Sequence, residues 1–210
     1  MGQKDRLRVG MFGGAFDPPH LAHRCLAETA LKQLKLQHLH VIPTGQAWHK
    51  ARILTEPRHR LAMCQRAFGD LPGVVVDDRE IRREGPSYTA DTLAELQALY
   101  PTAQLYLILG ADQLLSFRSW IRWEEVVQRA RLAVADRPLD VAGISLPPIE
   151  HDPRLSTSGI AFEALHMPAW RLSATAVRER VATGHDAIGQ MVPEAVSSYI
   201  SQHSLYPTSP

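Results

Sequence analysis

The chain reads as an α/β protein, a parallel sheet covered by helices on both faces. Three observations lead there. Apolar strand-like runs alternate with helix-periodic ones, the connections between them are short, and 45% apolar against 21% charged residues over 210 positions can bury one substantial core. The first strand covers 7–12 and the first helix 21–36, where Ala27, Ala30, Leu31 and Leu34 fall at i, i+3, i+4 and i+7. A strand at 38–42, a helix at 57–68, a short strand at 74–76 and a helix at 89–100 follow. The alternation continues with a strand at 105–109, a helix at 123–130 and a strand at 132–135. The stretch 138–153 is rich in Pro, Gly, Asp and Ser and reads as a surface loop. A last strand at 162–165 precedes a helix that opens after Ser173 and stops at Gly184, and a final helix spans 193–203.

Composition narrows the function. A net charge of +1, with scattered basic residues, gives no global pull toward a nucleic acid polymer, and no recognised nucleic-acid motif is present. Cys25 and Cys64 sit in amphipathic stretches and read as reduced thiols rather than as a disulfide framework. No leading apolar segment and no run of about 18 apolar residues occurs, so neither a signal peptide nor a membrane span is expected and the chain is placed in the cytoplasm.

The most informative segment is Val9-Gly10-Met11-Phe12-Gly13-Gly14-Ala15-Phe16-Asp17-Pro18-Pro19-His20-Leu21-Ala22-His23. An apolar strand runs into two glycines, which let a backbone turn and approach a bulky anion, and then into a helix. Pro18 or Pro19 suits the first helical turn with Asp17 as its N-cap. Free N–H groups of that turn would carry the positive end of the helix dipole, and His20 and His23 lie on one face beside them. The segment sits at the carboxyl end of a strand, where open α/β sheets bind ligands. It is neither G-x-G-x-x-G nor a P-loop, and two histidines three apart without a third ligand do not make a metal site. Taken alone, the two histidines read as ordinary residues near a capped helix.

A second anion site is expected late in the chain. Ser173 and Thr175 are good N-cap residues, and Arg178 follows three positions after Thr175, so hydroxyls, helix N–H groups and a guanidinium converge. Alone this is an ordinary helix start with a surface arginine.

Together the pattern Gly13-Gly14-x-Phe16-Asp17-Pro18-x-His20-x-x-His23 and the later Ser173-x-Thr175-x-x-Arg178 resemble the paired signatures of the HxGH nucleotidyltransferases, specifically of bacterial nicotinate mononucleotide adenylyltransferase. Three further blocks, 86–93, Gly110-Ala111-Asp112 and the stretch from Trp120 to Trp123, stand between them in the family's order, and the likeness runs from Arg8 to about Tyr206. The resemblance implies a Rossmann-like nucleotidyltransferase fold in one domain over 1–210, with C-terminal helices within 173–203. It also implies the activity: the phosphate of nicotinate mononucleotide attacks the α-phosphorus of ATP in line and releases pyrophosphate, without a covalent enzyme intermediate.

On that resemblance His20, His23 and Arg178 are the catalytic residues. Gly13, Gly14, Phe16, Lys50, Gly110, Asp112, Ser173 and Thr175 bind ATP, with Lys50 on a mobile loop and Asp112 on a ribose hydroxyl. Tyr88, Thr89 and Trp120 form the nicotinate pocket. Mg²⁺ arrives with ATP and no protein metal ligands are expected. The partners implied are the two small-molecule substrates, no nucleic acid and no membrane, with a homo-oligomer left open. Two positions depart from the family: Ala22 replaces a glycine between the histidines, and Trp48 replaces a proline before His49-Lys50. The rival readings are an adenylyltransferase acting on phosphopantetheine or nicotinamide mononucleotide, and a nucleotide-binding regulator without chemistry.

Overall fold

The structure is a computed structural model that describes residues 6–45, 54–135, 151, 159–168, 170–184 and 188–207. Lys50, Trp48 and, save for residue 151, the expected loop at 138–153 lie outside the described residues.

Six strands form one all-parallel sheet: β1 (Arg8–Gly14), β2 (His38–Pro43), β3 (Val74–Val76), β4 (Gln104–Gly110), β5 (Ala130–Ala135) and β6 (Phe162–Leu165). Their order is β3-β2-β1-β4-β5-β6. The helices are α1 (Leu21–Gln33), α2 (Pro57–Phe68), α3 (Arg79–Arg82), α4 (Thr89–Leu99), α5 (Ala111–Leu115), α6 (Trp123–Arg129), α7 (Ala174–Ala182) and α8 (Glu194–Gln202), with a 3-10 turn at Phe117–Ser119. The chain divides into two compact units, one of Met1–Phe12, Leu26–His40 and Tyr88–Trp170, the other of Gly13–Cys25, Val41–Ser87 and Arg171–Pro210.

In the first unit β4 pairs with both β1 and β5, with Leu107 opposite Met11 on one side and Leu132 on the other. Every residue from Leu105 to Leu109 is buried, so both faces of the strand are covered. Such a strand reads as an unbroken apolar run rather than an alternating one. Helix α4 packs on α6, and Leu93, Leu96, Phe117 and Val126 fill the space with no exposed surface. Burial of each such side chain contributes about 1.5–3 kcal/mol.

The second unit packs α2 against α8 through Met63, Phe68, Val196 and Ile200. Cys64 is fully buried there, and burial pushes its thiol pKa well up, which leaves it unreactive. Both cysteines are free, in agreement with their reading as reduced thiols.

Helix α1 ends at Gln33, three residues short of the sequence expectation. Lys35 adopts a left-handed φ of 52°, and the Leu36 N–H reaches back to the Leu31 carbonyl at 3.1 Å. This is the Schellman closure, which a lysine completes here in place of the usual glycine. The other helix ends fall within one residue of expectation, while the short helices α3 and α5 were not anticipated because neither is long enough to show a period. Among the described residues no helix is long and apolar enough to cross a membrane.

Candidate active site

Gly13 and Gly14 belong to β1 itself, and neither has a positive φ. The expectation that they make the turn is corrected: the left-handed residue is Phe16, at φ 46°. Glycine is needed at 14 for a different reason, since a Cβ there would lie 3.0 Å from the Phe16 ring. Phe16 folds under the loop, buried to 2%, edge-on to His23 and Phe68 at 5.2 and 5.7 Å. Its ring packs edge-on against His23, and the described geometry shows the residue as a packing neighbour of that histidine.

The helix opens at Leu21 rather than at a proline, and His20, not Asp17, is its N-cap. The carbonyl of His20 accepts from His23 and Arg24 at 2.9 and 3.1 Å. In return the His20 N–H donates to Nδ1 of His23 at 3.2 Å, the back-bond that Glu or Gln makes in a capping box. Nδ1 of His23 is therefore an acceptor, and the neutral ring carries its proton on Nε2. The two imidazoles stack at 3.6 Å with their planes 19° apart. The Leu21 N–H is given to the Met191 carbonyl at 2.9 Å. Much of the first turn is thus spent within the protein, so the expected free helix N–H groups at Leu21 and His23 already have partners.

Asp17 does a different job. It is 1% exposed, and its carboxylate accepts from the Thr55 N–H at 3.1 Å and from the Tyr206 hydroxyl at 2.7 Å. Its carbonyl accepts from Arg178 at 2.7 Å, and the same guanidinium donates to Oγ1 of Thr175 at 3.0 Å. Ser173 caps α7 as expected, with its Oγ accepting from the Ala176 N–H at 3.1 Å. The two anion sites read separately from the sequence are therefore one place: the Ser173–Arg178 segment is fastened to the residue beside Phe16.

Arg60 was missed by the sequence reading. It is 1% exposed and donates to the carbonyls of Thr55, Ala15, Thr44 and Gly45 at 2.9, 3.1, 2.7 and 3.2 Å. One guanidinium thereby fixes the loops that follow β1 and β2. The signal was available, since Arg60 occupies the buried stripe of α2 with Met63, Cys64 and Ala67. An arginine on an apolar stripe must find acceptors.

The remaining expected residues fall in the other compact unit. Tyr88 is the N-cap of α4, its carbonyl accepting from Asp91 and Thr92, and Thr89 is the first helical residue. Trp120 ends the 3-10 turn, half-buried, with its ring tilted against Phe117 at 5.1 Å. Arg122 joins these two segments: it pairs with Asp91 in the first turn of α4 and with Glu125 at 2.7 Å, and the two carboxylates raise its pKa. Gly110 and Asp112 stand at the carboxyl end of β4, with Gly110 as N-cap of α5 and Asp112 exposed.

A cleft of about 680 Å³ lies at the other ends of the strands, lined by Gln104, Ala130 and Phe162 among others. Around it Arg131 pairs with Glu163 at 3.2 Å, Arg129 lies 3.8 Å from Glu125, and Arg118 lies over the Trp123 ring at 5.1 Å. The chemistry-bearing residues are not there. Among the described residues no group of three or more His, Cys, Asp or Glu side chains is placed to hold a metal ion.

Comparison with known proteins identifies the family. Residues 11–180 match the cytidylyltransferase-like family model. A protein of Albidiferax ferrireducens named "Probable nicotinate-nucleotide adenylyltransferase" is 49% identical over 202 residues, covering 96% of this chain and 99% of its own. One of the same name from Methylibium petroleiphilum is 42% identical, covering 98% and 95%. In structure, the nicotinic acid mononucleotide adenylyltransferase of Plasmodium falciparum complexed with NaAD shares the fold with a TM-score of 0.77 at 19% identity, covering 96% of this chain and 98% of that one. The chain belongs to the cytidylyltransferase-like nucleotidyltransferases, in the branch whose members are named nicotinate-nucleotide adenylyltransferase.

Proposed function

We propose that this chain catalyses the joining of ATP and nicotinate mononucleotide to nicotinate adenine dinucleotide and pyrophosphate, a step of NAD biosynthesis. The observation that carries the reading is the fastening of Arg178 to the carbonyl of Asp17 at 2.7 Å, which brings the late phosphate segment to the early one. Transfer of an adenylyl group needs cationic and N–H donors around a chain of phosphates, and no protein nucleophile.

In this reading a 5′-phosphate oxygen of nicotinate mononucleotide forms a bond to the α-phosphorus of ATP. The bond from that phosphorus to the bridging oxygen breaks, and pyrophosphate leaves with the electron pair. His23 donates from Nε2 to a phosphate oxygen, and His20 acts beside it. Arg178, Ser173 and Thr175 hold the β- and γ-phosphates, and Arg178 neutralises charge that builds on the leaving group. Lys50 serves the same phosphates. Gly13, Gly14, Gly110 and Asp112 line the nucleotide, with Asp112 accepting from a ribose hydroxyl. The α4 start at Tyr88 and Thr89 receives the nicotinate carboxylate, and the Trp120 indole stacks on the pyridine ring.

Mg²⁺ would arrive with ATP as part of that substrate and would neutralise charge on its phosphates. The whole of 1–210 works as one nucleotidyltransferase domain in the cytoplasm. Its partners are the two substrates rather than a nucleic acid or a membrane.

The test is pyrophosphate release with ATP and Mg²⁺, offering nicotinate mononucleotide, nicotinamide mononucleotide and phosphopantetheine separately. The reading expects strong preference for nicotinate mononucleotide. Preference for another acceptor overturns the pocket assignment and keeps the chemistry, and no release from folded protein that binds ATP overturns both.

A further inference from the structure

Tyr206 lies near the end of the chain, 189 residues from the residue it serves. Helix α8 closes at Gln202, and the next residues turn sharply: Ser204 and Tyr206 both have left-handed φ values, 47° and 60°. Side chains with a Cβ rarely adopt that region, so two such residues within three positions mark a backbone held in place by its surroundings. The result of the turn is a phenol that points inward and donates to Oδ1 of Asp17 at 2.7 Å. Asp17 is 1% exposed and receives a donor at each of its three oxygens: Tyr206 on Oδ1, Thr55 on Oδ2 and Arg178 on the backbone carbonyl. A buried carboxylate keeps its place only while its acceptor sites are filled. If Oδ1 loses its donor, the residue that carries the Arg178 acceptor shifts with it.

We propose that Tyr206 is a positioning residue for the transfer step: through Asp17 it holds the carbonyl that aims the Arg178 guanidinium at the leaving phosphates. The inference rests on the adenylyl-transfer reading above. Burial and the neighbouring Asp17 raise the pKa of the phenol, so it remains a proton donor across the assay range. The effect of removing it is accordingly constant over about pH 6 to 9.

The experiment is steady-state pyrophosphate release by the full chain with ATP, Mg²⁺ and nicotinate mononucleotide, comparing wild type, Tyr206→Phe, Asp17→Ala and the double variant. Rates are normalised to folded protein measured by circular dichroism. The phenylalanine keeps the ring and removes one oxygen. The expected result is a loss of about tenfold in kcat for Tyr206→Phe, with the KM for nicotinate mononucleotide within about twofold of wild type. In the Asp17→Ala background, where the acceptor is gone, the same change costs little more, because both act through one hydrogen bond. A purely structural tyrosine would lower the melting temperature and leave kcat per folded molecule unchanged, and that outcome overturns the proposal. So does an undiminished tenfold loss on top of Asp17→Ala. If Tyr206→Phe does not fold, Asp17→Ala, which removes the acceptor and keeps the backbone carbonyl, decides: wild-type kcat overturns the proposal and a tenfold loss at unchanged KM supports it. An inactive wild type would instead overturn the adenylyl-transfer reading, so the two failures are distinguishable.

Discussion

Replacing Arg178 with lysine keeps the charge and removes the fork. The guanidinium holds the Asp17 carbonyl at 2.7 Å and the Thr175 hydroxyl at 3.0 Å at the same time. A lysine ammonium is a point charge on a flexible stem and cannot reproduce that planar pair. A hydrogen bond from a charged group is worth about 1.5–3 kcal/mol, so losing the aim of one such bond lowers kcat/KM by roughly 10- to 150-fold. Stability should move little, because the helix keeps its Ser173 cap and the side chain is half-buried. A loss of 1 kcal/mol shifts the melting temperature of a chain of this size by about 2–4 °C. The assay is pyrophosphate release at varied ATP with nicotinate mononucleotide saturating, beside a thermal melt. Arg178→Lys with kcat/KM within about twofold of wild type, in folded protein, would refute the argument that guanidinium geometry matters.

Other expected outcomes follow from the same geometry. His23→Ala removes both the phosphate donor and the acceptor for the His20 N–H, and should lower kcat by about 100-fold or more, read by the same assay at saturating substrates. Arg122→Ala frees the Trp120 turn from the first turn of α4, and should raise the KM for nicotinate mononucleotide several-fold at nearly unchanged kcat, read by varying that substrate alone. Asp70 has its pKa lowered from 3.8 by its hydrogen bonds to Arg24. Its carboxylate therefore stabilises the fold above pH 3.8, and the contribution is lost as pH falls through the lowered folded value. The pair is largely solvated, with Asp70 66% exposed, so Asp70→Asn should cost at most about 1 kcal/mol at neutral pH. Urea melts should show that gap narrowing as pH falls below 3.8, and a gap that widens in acid would contradict the assignment.

What the sequence revealed is what lies within a few residues of itself. The Ser173 cap and the Thr175–Arg178 pair are three positions apart and were readable as one turn of helix. The strands of the first unit were readable because burial on both faces writes an unbroken apolar run. Asp17 was misread as a cap because its actual donors come from 38 and 189 residues away, and no local pattern encodes such a pairing. The same distance hid the Tyr206 hydrogen bond and the meeting of the Asp17 and Ser173–Arg178 segments. Gly13-Gly14 reads as a bend, yet neither glycine has a positive φ, and a Cβ at Gly14 would crowd the Phe16 ring.

The central claim is direct adenylyl transfer to nicotinate mononucleotide. It is tested most directly by following pyrophosphate and nicotinate adenine dinucleotide together in one reaction with ATP and Mg²⁺. The account predicts that the two products appear in equal amounts from the first turnover, and that no pyrophosphate forms until nicotinate mononucleotide is added. Pyrophosphate released before the acceptor is present, or in its presence without the dinucleotide, would contradict it.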